Sequence, residues 1–177
     1  MSKRDLKKYL TELSKEQLEE QLIELYEKFA PVKVYYDFVF NPKEDKLLQE
    51  SKVKISHEYF PIKKPNAKWR PKAKMRRSVA QKIIKHFIML GVDPFIIADL
   101  MFYNIEIAQT YSANNYIKQE LFYKSIFNSF EQAVNFVISN GILIEFKARI
   151  EMIHQEILQQ KWKNKYDFEA ILDKIDF

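Results

Sequence analysis

The stretch PFIIADLMFYNIEIAQTY, residues 94–111, constrains what this chain can fold into more than any other. Its apolar side chains run around nearly the whole circumference of a helix, and such a helix is expected to be surrounded by others rather than to lie on a surface. Residues 94–111 are therefore expected to form a central helix, with the rest of the chain supplying the layer around it. The flanking sequence reads as that layer. Leu18, Leu22, Leu25, Tyr26 and Phe29 recur at helical spacing, as do Phe122, Ile126, Phe130, Ala133, Val134 and Val137.

Punctuation supports the same reading. Gly91 and Gly141 are the only glycines, and each follows one apolar periodic run and precedes another, where a helix end favours a left-handed residue. Ser14 with Gln17 has capping-box spacing, Asn41-Pro42-Lys43-Glu44 combines a cap, a proline and a carboxylate three residues on, and Asp93-Pro94 repeats the cap and proline. The segment VKVYYDFVF, residues 32–40, is β-branched, aromatic and alternating, which suits a strand. A lone strand has no partner in this chain, so helix is the expectation there. The chain as a whole predicts an all-α fold of roughly seven to nine helices. At 177 residues and 47% hydrophobic content, with no Gly/Ser linker or repeat, it is expected to be one domain, 1–177, a helical bundle or a short superhelix of helical hairpins. The irregular connection is placed at about 61–73, where Pro61, Pro65 and Pro71 forbid a continuous helix.

Charge concentrates on that connection. Residues 1–60 carry 11 basic and 12 acidic side chains and residues 78–177 carry 10 and 12, whereas residues 61–77 carry 8 and none. Lys63, Lys64, Lys68, Arg70, Lys72, Lys74, Arg76 and Arg77, with Trp69 among them, form the candidate binding segment. Such a segment suits phosphates contacted by cations while an indole stacks or anchors, or else an acidic protein surface. It also suits a solvated loop, or one paired with the acidic stripe Glu12, Glu16, Glu20, Glu24 and Glu27.

The second candidate lies on the central helix, where Asp99, Asn104, Glu106 and Gln109 interrupt the apolar surface and Tyr103 joins Asp99, Glu106 and Gln109 as a possible pocket. Asp99 and Glu106 share a face with backbones roughly 10 Å apart, wide for two carboxylates acting on one bond. Buried carboxylates require partners, and the helix holding Arg76, Arg77, Lys82 and Lys85 is the expected source. The alternative is a small-molecule or catalytic pocket around Asp99 and Glu106.

Other chemistries lack their signatures. Cysteine is absent, so a metal site would need His, Asp and Glu. Glu151 and His154 have the Glu-x-x-His spacing of helical di-iron proteins, but a second copy is missing, and His57 and His86 stand alone. No metal and no cofactor are expected. Neither a phosphate-binding glycine loop nor a nucleophile elbow occurs, which argues against nucleotide-dependent and hydrolytic enzymes. The basic amino-terminal helix, with Leu6, Leu10 and Leu13, has too short an apolar stripe to favour an anionic membrane, and no apolar run approaches a bilayer span. A soluble protein of the reducing cytoplasm, without a membrane partner, is expected.

The segments KKYLTELSKEQLEEQLIELYEKF, YYDFVFNPKEDKLL, RRSVAQKIIKHF, GVDPFIIADLMFYNIEIAQT and NSFEQAVNFVISNGIL together resemble a family of small bacterial proteins catalogued only as a domain of unknown function. The resemblance spans roughly residues 3–165. It implies a compact helical cytoplasmic protein and brings no activity, cofactor or catalytic residue. The favoured reading is a non-enzymatic binding module whose basic segment 63–77 meets a protein or other acidic macromolecule. Nucleic-acid binding, the pocket around Asp99 and Glu106, and a structural or homo-oligomeric role stand as its rivals.

Overall fold

The computed structural model describes residues 2–63, 65–69 and 71–175. Among these residues there are nine helices and no strand, as the periodicity predicts. The chain divides into two compact units, residues 1–43 and 44–177, a boundary that no linker composition marks.

The first unit holds α1 (Lys3–Thr11), α2 (Lys15–Lys28) and α3 (Ala30–Phe40). Ser2 with Asp5 and Ser14 with Gln17 form reciprocal capping boxes, each satisfying two N–H groups that would otherwise lack partners. The segment of strand-like composition is helical, with Pro31 in its first turn. The Tyr26 hydroxyl donates to Asp37 at 2.8 Å and Gln21 Nε2 donates to the Tyr9 hydroxyl at 2.7 Å, tying α2 to α3 and to α1. None of the described side chains of this unit is buried.

The second unit holds α4 (Glu44–Tyr59), α5 (Arg77–Leu90), α6 (Pro94–Ala113), α7 (Glu120–Ser139), α8 (Leu143–Gln159) and α9 (Lys165–Leu172). Helix α6 packs against α4, α5, α7 and α8 and is the central helix its composition requires. Leu100, Phe102, Ile105 and Ala108 on it are wholly enclosed, joined in the core by Phe87, Phe130, Ile150 and Phe168. Truncating one of the enclosed leucines or isoleucines to alanine would cost about 2–5 kcal/mol.

Three helices of this unit end the same way. After α5 the Val92 N–H bonds the Phe87 carbonyl and the Gly91 N–H bonds that of Ile88; after α7 Ile142 and Gly141 do the same with Val137 and Ile138. Both glycines have φ of +70°. After α8, Trp162 and Lys161 repeat the pattern with Ile157 and Leu158, and Lys161 takes φ of +53° without being a glycine. Asp93 caps α6 by accepting from the Phe95 N–H at 2.8 Å, ahead of Pro94. Asn41 differs from its expected role. It closes α3, bonding the Phe38 carbonyl, while α4 starts at Glu44. No helix among the described residues is long and apolar enough to cross a membrane.

Candidate functional site

The irregular connection between α4 and α5 is held at its base by one acid. Glu58 lies just upstream of the acid-free run, and its backbone carbonyl accepts from both Lys74 N–H (2.9 Å) and Met75 N–H (3.0 Å). Its carboxylate accepts from Arg76 three times, from the backbone N–H at 3.2 Å, Nε at 2.9 Å and Nη2 at 2.8 Å. Met75 turns to φ of +51° within this clasp. The Arg76 hydrogen bonds hold the Glu58 carboxyl below its ordinary value against the opposing effect of burial, with the nearby Lys74 charge adding to the effect. Arg77 is also used internally: Nε donates to the Ser129 hydroxyl at 3.0 Å and Nη2 to Gln132 Oε1 at 3.2 Å. Two of the cations in the candidate segment thus anchor it to α4 and α7.

The remaining described cations face outward. Lys63, Lys68, Lys72 and Lys74 are exposed, and none forms a salt bridge among the described residues. Trp69 stands beside them, 78% exposed. Lys64 and Arg70, also candidates, lie outside the described residues.

Between the start of this connection and the end of α6 lies a cleft of about 610 Å³. Its walls are aromatic. Tyr111 of α6 meets Tyr59 at 5.9 Å between ring centroids and Phe60 edge-on at 5.6 Å, and Pro61, Pro71 and Lys72 complete the side formed by the connection. Asn114 and Asn115 form the rim, donating from Nδ2 to the Thr110 and Tyr111 carbonyls. Burial pushes the Tyr59 phenol well above its ordinary value, so it stays a neutral hydroxyl.

The two carboxylates of α6 are drawn into ion pairs. Arg149 of α8 spans the interval between the two carboxylates, donating from Nε and Nη2 to Glu106 at 2.6 and 2.8 Å and from Nη1 to Asp99 at 2.7 Å. Lys52 of α4 pairs with the other Asp99 oxygen at 2.6 Å. Both cations lie over aromatic faces, Arg149 over Phe102 at 5.6 Å and Lys52 over Tyr103 at 5.2 Å. Burial raises the Asp99 carboxyl, but the Lys52 and Arg149 hydrogen bonds outweigh it and hold the group below its ordinary value. The partners expected from the helix containing Lys82 and Lys85 are thus corrected to Lys52 and Arg149. Arg76 and Arg77 are turned to Glu58 and α7, and Lys82 and Lys85 face solvent. Gln109 is buried and donates to the Ile153 carbonyl at 2.7 Å, fastening α6 to α8.

A second cleft of about 500 Å³ has Tyr123 and Phe127 in its lining and Lys163 and Glu120 paired at 3.9 Å beside it. Among the described residues no group of three or more His, Asp or Glu side chains gathers to hold a metal ion.

Sequence reasoning found the basic segment from its composition and the α6 carboxylates from their apolar setting. It missed Glu58, Lys52, Arg149 and the aromatic cleft. The one available signal was positional: Arg149 adjoins the apolar positions Phe146, Ile150 and Ile153, which helical spacing places on the inner face of α8.

A family model described as a family of unknown function (DUF6155) covers residues 1–176. No curated protein and no solved structure matches the chain.

Proposed function

The chain belongs to this family of unknown function, and from that premise we propose that it is a non-enzymatic binding module whose segment 63–77 engages an acidic macromolecule. One observation carries the reading. Lys63, Lys68, Lys72 and Lys74 are exposed and without salt bridges among the described residues, on a connection clasped at its base by Glu58 and Arg77. An anchored row of cations without salt bridges, of which only Lys74 also lies near the Glu58 charge, attracts a polyanion without first breaking ion pairs. Trp69 beside them offers an indole to stack or anchor. The α6 carboxylates support a catalytic reading less well, since Lys52 and Arg149 already occupy the positions a substrate would need.

The test is fluorescence anisotropy with labelled polyglutamate, single-stranded DNA and duplex DNA at two salt concentrations. The intact chain is compared with the variant Lys63→Gln/Lys68→Gln/Lys72→Gln/Lys74→Gln. Binding of at least one polyanion should weaken with salt, for duplex DNA by about 0.9 log units per contacted phosphate per decade, and the variant should lose most of it. Silence from every probe at low salt, or a variant that binds like the parent, overturns the proposal.

A second reading is carried by the first unit. Leu22, Ile23, Leu25 and Phe40 are exposed on helices that bury nothing, with Phe29 exposed between α2 and α3, and exposed apolar side chains of this kind suit an interface. In that reading the chain self-associates through residues 1–43. Sedimentation velocity over a range of concentrations should then show a dimer that Phe29→Ser/Phe40→Ser dissociates. A parent that remains monomeric throughout ends that reading.

A further inference from the structure

The cleft beside the basic segment narrows the class of partner. We propose that it is a base-binding site for a single-stranded nucleic acid, with the base against Tyr111 and Phe60 and the backbone passing over Lys72 and its neighbouring lysines. The inference rests on the binding-module reading and goes beyond it by naming the site and the ligand.

Three observations converge. The first is the wall chemistry: Phe60 and Tyr111 are only half-buried, so ring surface remains for a planar group after their edge-on contact with each other. Base-on-aromatic stacking tolerates every base because each has a π-face. The second is charge. Lys72 is itself part of the lining, so a phosphate flanking a seated base would meet a cation at the wall of the cleft, with Lys74 two residues further along the exposed chain. Acid is missing from the whole run 61–77, which favours a dense polyanion over a mixed protein surface.

The third observation concerns the rim. Asn114 and Asn115 each donate from Nδ2 to a carbonyl of α6, which fixes the amide orientation. Their Oδ1 atoms accept no hydrogen bond among the described residues, and both residues are exposed. Two unused acceptors beside an aromatic wall match the exocyclic amino and ring N–H donors of a base edge. The side chains of an acidic peptide make no comparable use of the rings, because carboxylates do not stack, so the acidic peptide is the alternative the test must separate. A duplex is equally unsuited, since its bases are already paired and stacked and a bent loop offers no groove-filling helix.

The test pairs a base-bearing strand with an abasic strand of equal charge. Labelled single-stranded oligothymidylate is titrated against an abasic strand of the same length, a duplex and polyglutamate. The proteins are the full chain and the variants Phe60→Ala, Ala73→Leu and Trp69→Ala, each checked for an unchanged melting transition. The intact chain should bind the base-bearing strand roughly five- to hundredfold more tightly than the abasic one. Phe60→Ala should remove most of that preference and leave the salt dependence unchanged. Should Phe60→Ala fail to fold, Ala73→Leu decides: it adds bulk to the cleft from the connection side and must also reduce the preference. Equal binding of abasic and base-bearing strands, a preference for polyglutamate or duplex, or loss of the preference in Trp69→Ala alone each overturns the cleft while leaving the binding module in place. Absence of all binding at low salt is a failure of the binding module itself.

Discussion

At the scale of single residues, three helix ends separate conformational cost from packing. Gly91 and Gly141 sit at φ of +70° with open space where a Cβ would go, so alanine there meets no clash and only the left-handed backbone is penalised. Gly91→Ala and Gly141→Ala should each lower stability by about 1 kcal/mol in urea unfolding, with an unchanged denaturant slope. Lys161 carries the same penalty in the native chain. Lys161→Gly should therefore raise stability, by roughly 0.5 kcal/mol once the looser unfolded chain is counted. The glycines were readable as helix ends because apolar periodicity stops at each. Lys161 was not, because a lysine announces no left-handed turn; there Trp162, buried three residues beyond the end of α8, stabilises the turn.

Among elements, the informative junction is α6 with α8 and α4. A single guanidinium serves two carboxylates seven residues apart, so Arg149 does what two separate cations would otherwise do. Arg149→Lys keeps the charge and loses the fork, and should cost about 1–2 kcal/mol. Arg149→Met leaves Glu106 without this partner and Asp99 with Lys52 alone, and should cost more, about 2–3 kcal/mol for groups that are only half-buried. Thermal melts of both variants, ranked against the parent, check the order; equal stability of all three would mean that water screens the pairs completely. The two carboxylates were conspicuous in sequence because an apolar helix surrounds them. Their partners were not, because which helix lies over that face is a result of tertiary packing that no local pattern encodes. The misplaced cap at Asn41 has a local cause. Proline at 42 disfavours helical backbone at the residue before it, which suits a chain leaving α3, and the same proline reads equally well as the opening of α4.

For the whole molecule, acid sensitivity follows from two carboxyls. Asp99 and Glu58 are both held below their ordinary values of 3.8 and 4.5 in the folded chain. Folding therefore gains from each of them above those values, and the gain disappears as pH falls through the lower, folded-state ones. Unfolding free energy, followed by circular dichroism in urea, should be level from neutral pH down to about 5 and then decline steeply below about 4. Asp99→Asn should flatten part of that decline while lowering the plateau. A chain equally stable at pH 3 and pH 7 would remove both pairs from any account of its stability. The all-helical architecture was visible in the sequence almost throughout, since apolar side chains around nearly the whole circumference of 94–111 leave few alternatives. The division at residues 43 and 44 was not, for the change there is in burial and not in composition.

The Glu58 clasp separates two roles along the chain. Because the Glu58 carbonyl meets Lys74 and Met75, the path from α4 to α5 is already closed where the excursion begins and ends. Beyond Tyr59 and Phe60, which pack on Tyr111, the length of the excursion is therefore decoupled from where α4 meets α5, and changes of loop length there are expected to cost little. The sequence of the excursion can then vary while α4 and α5 keep the same meeting point.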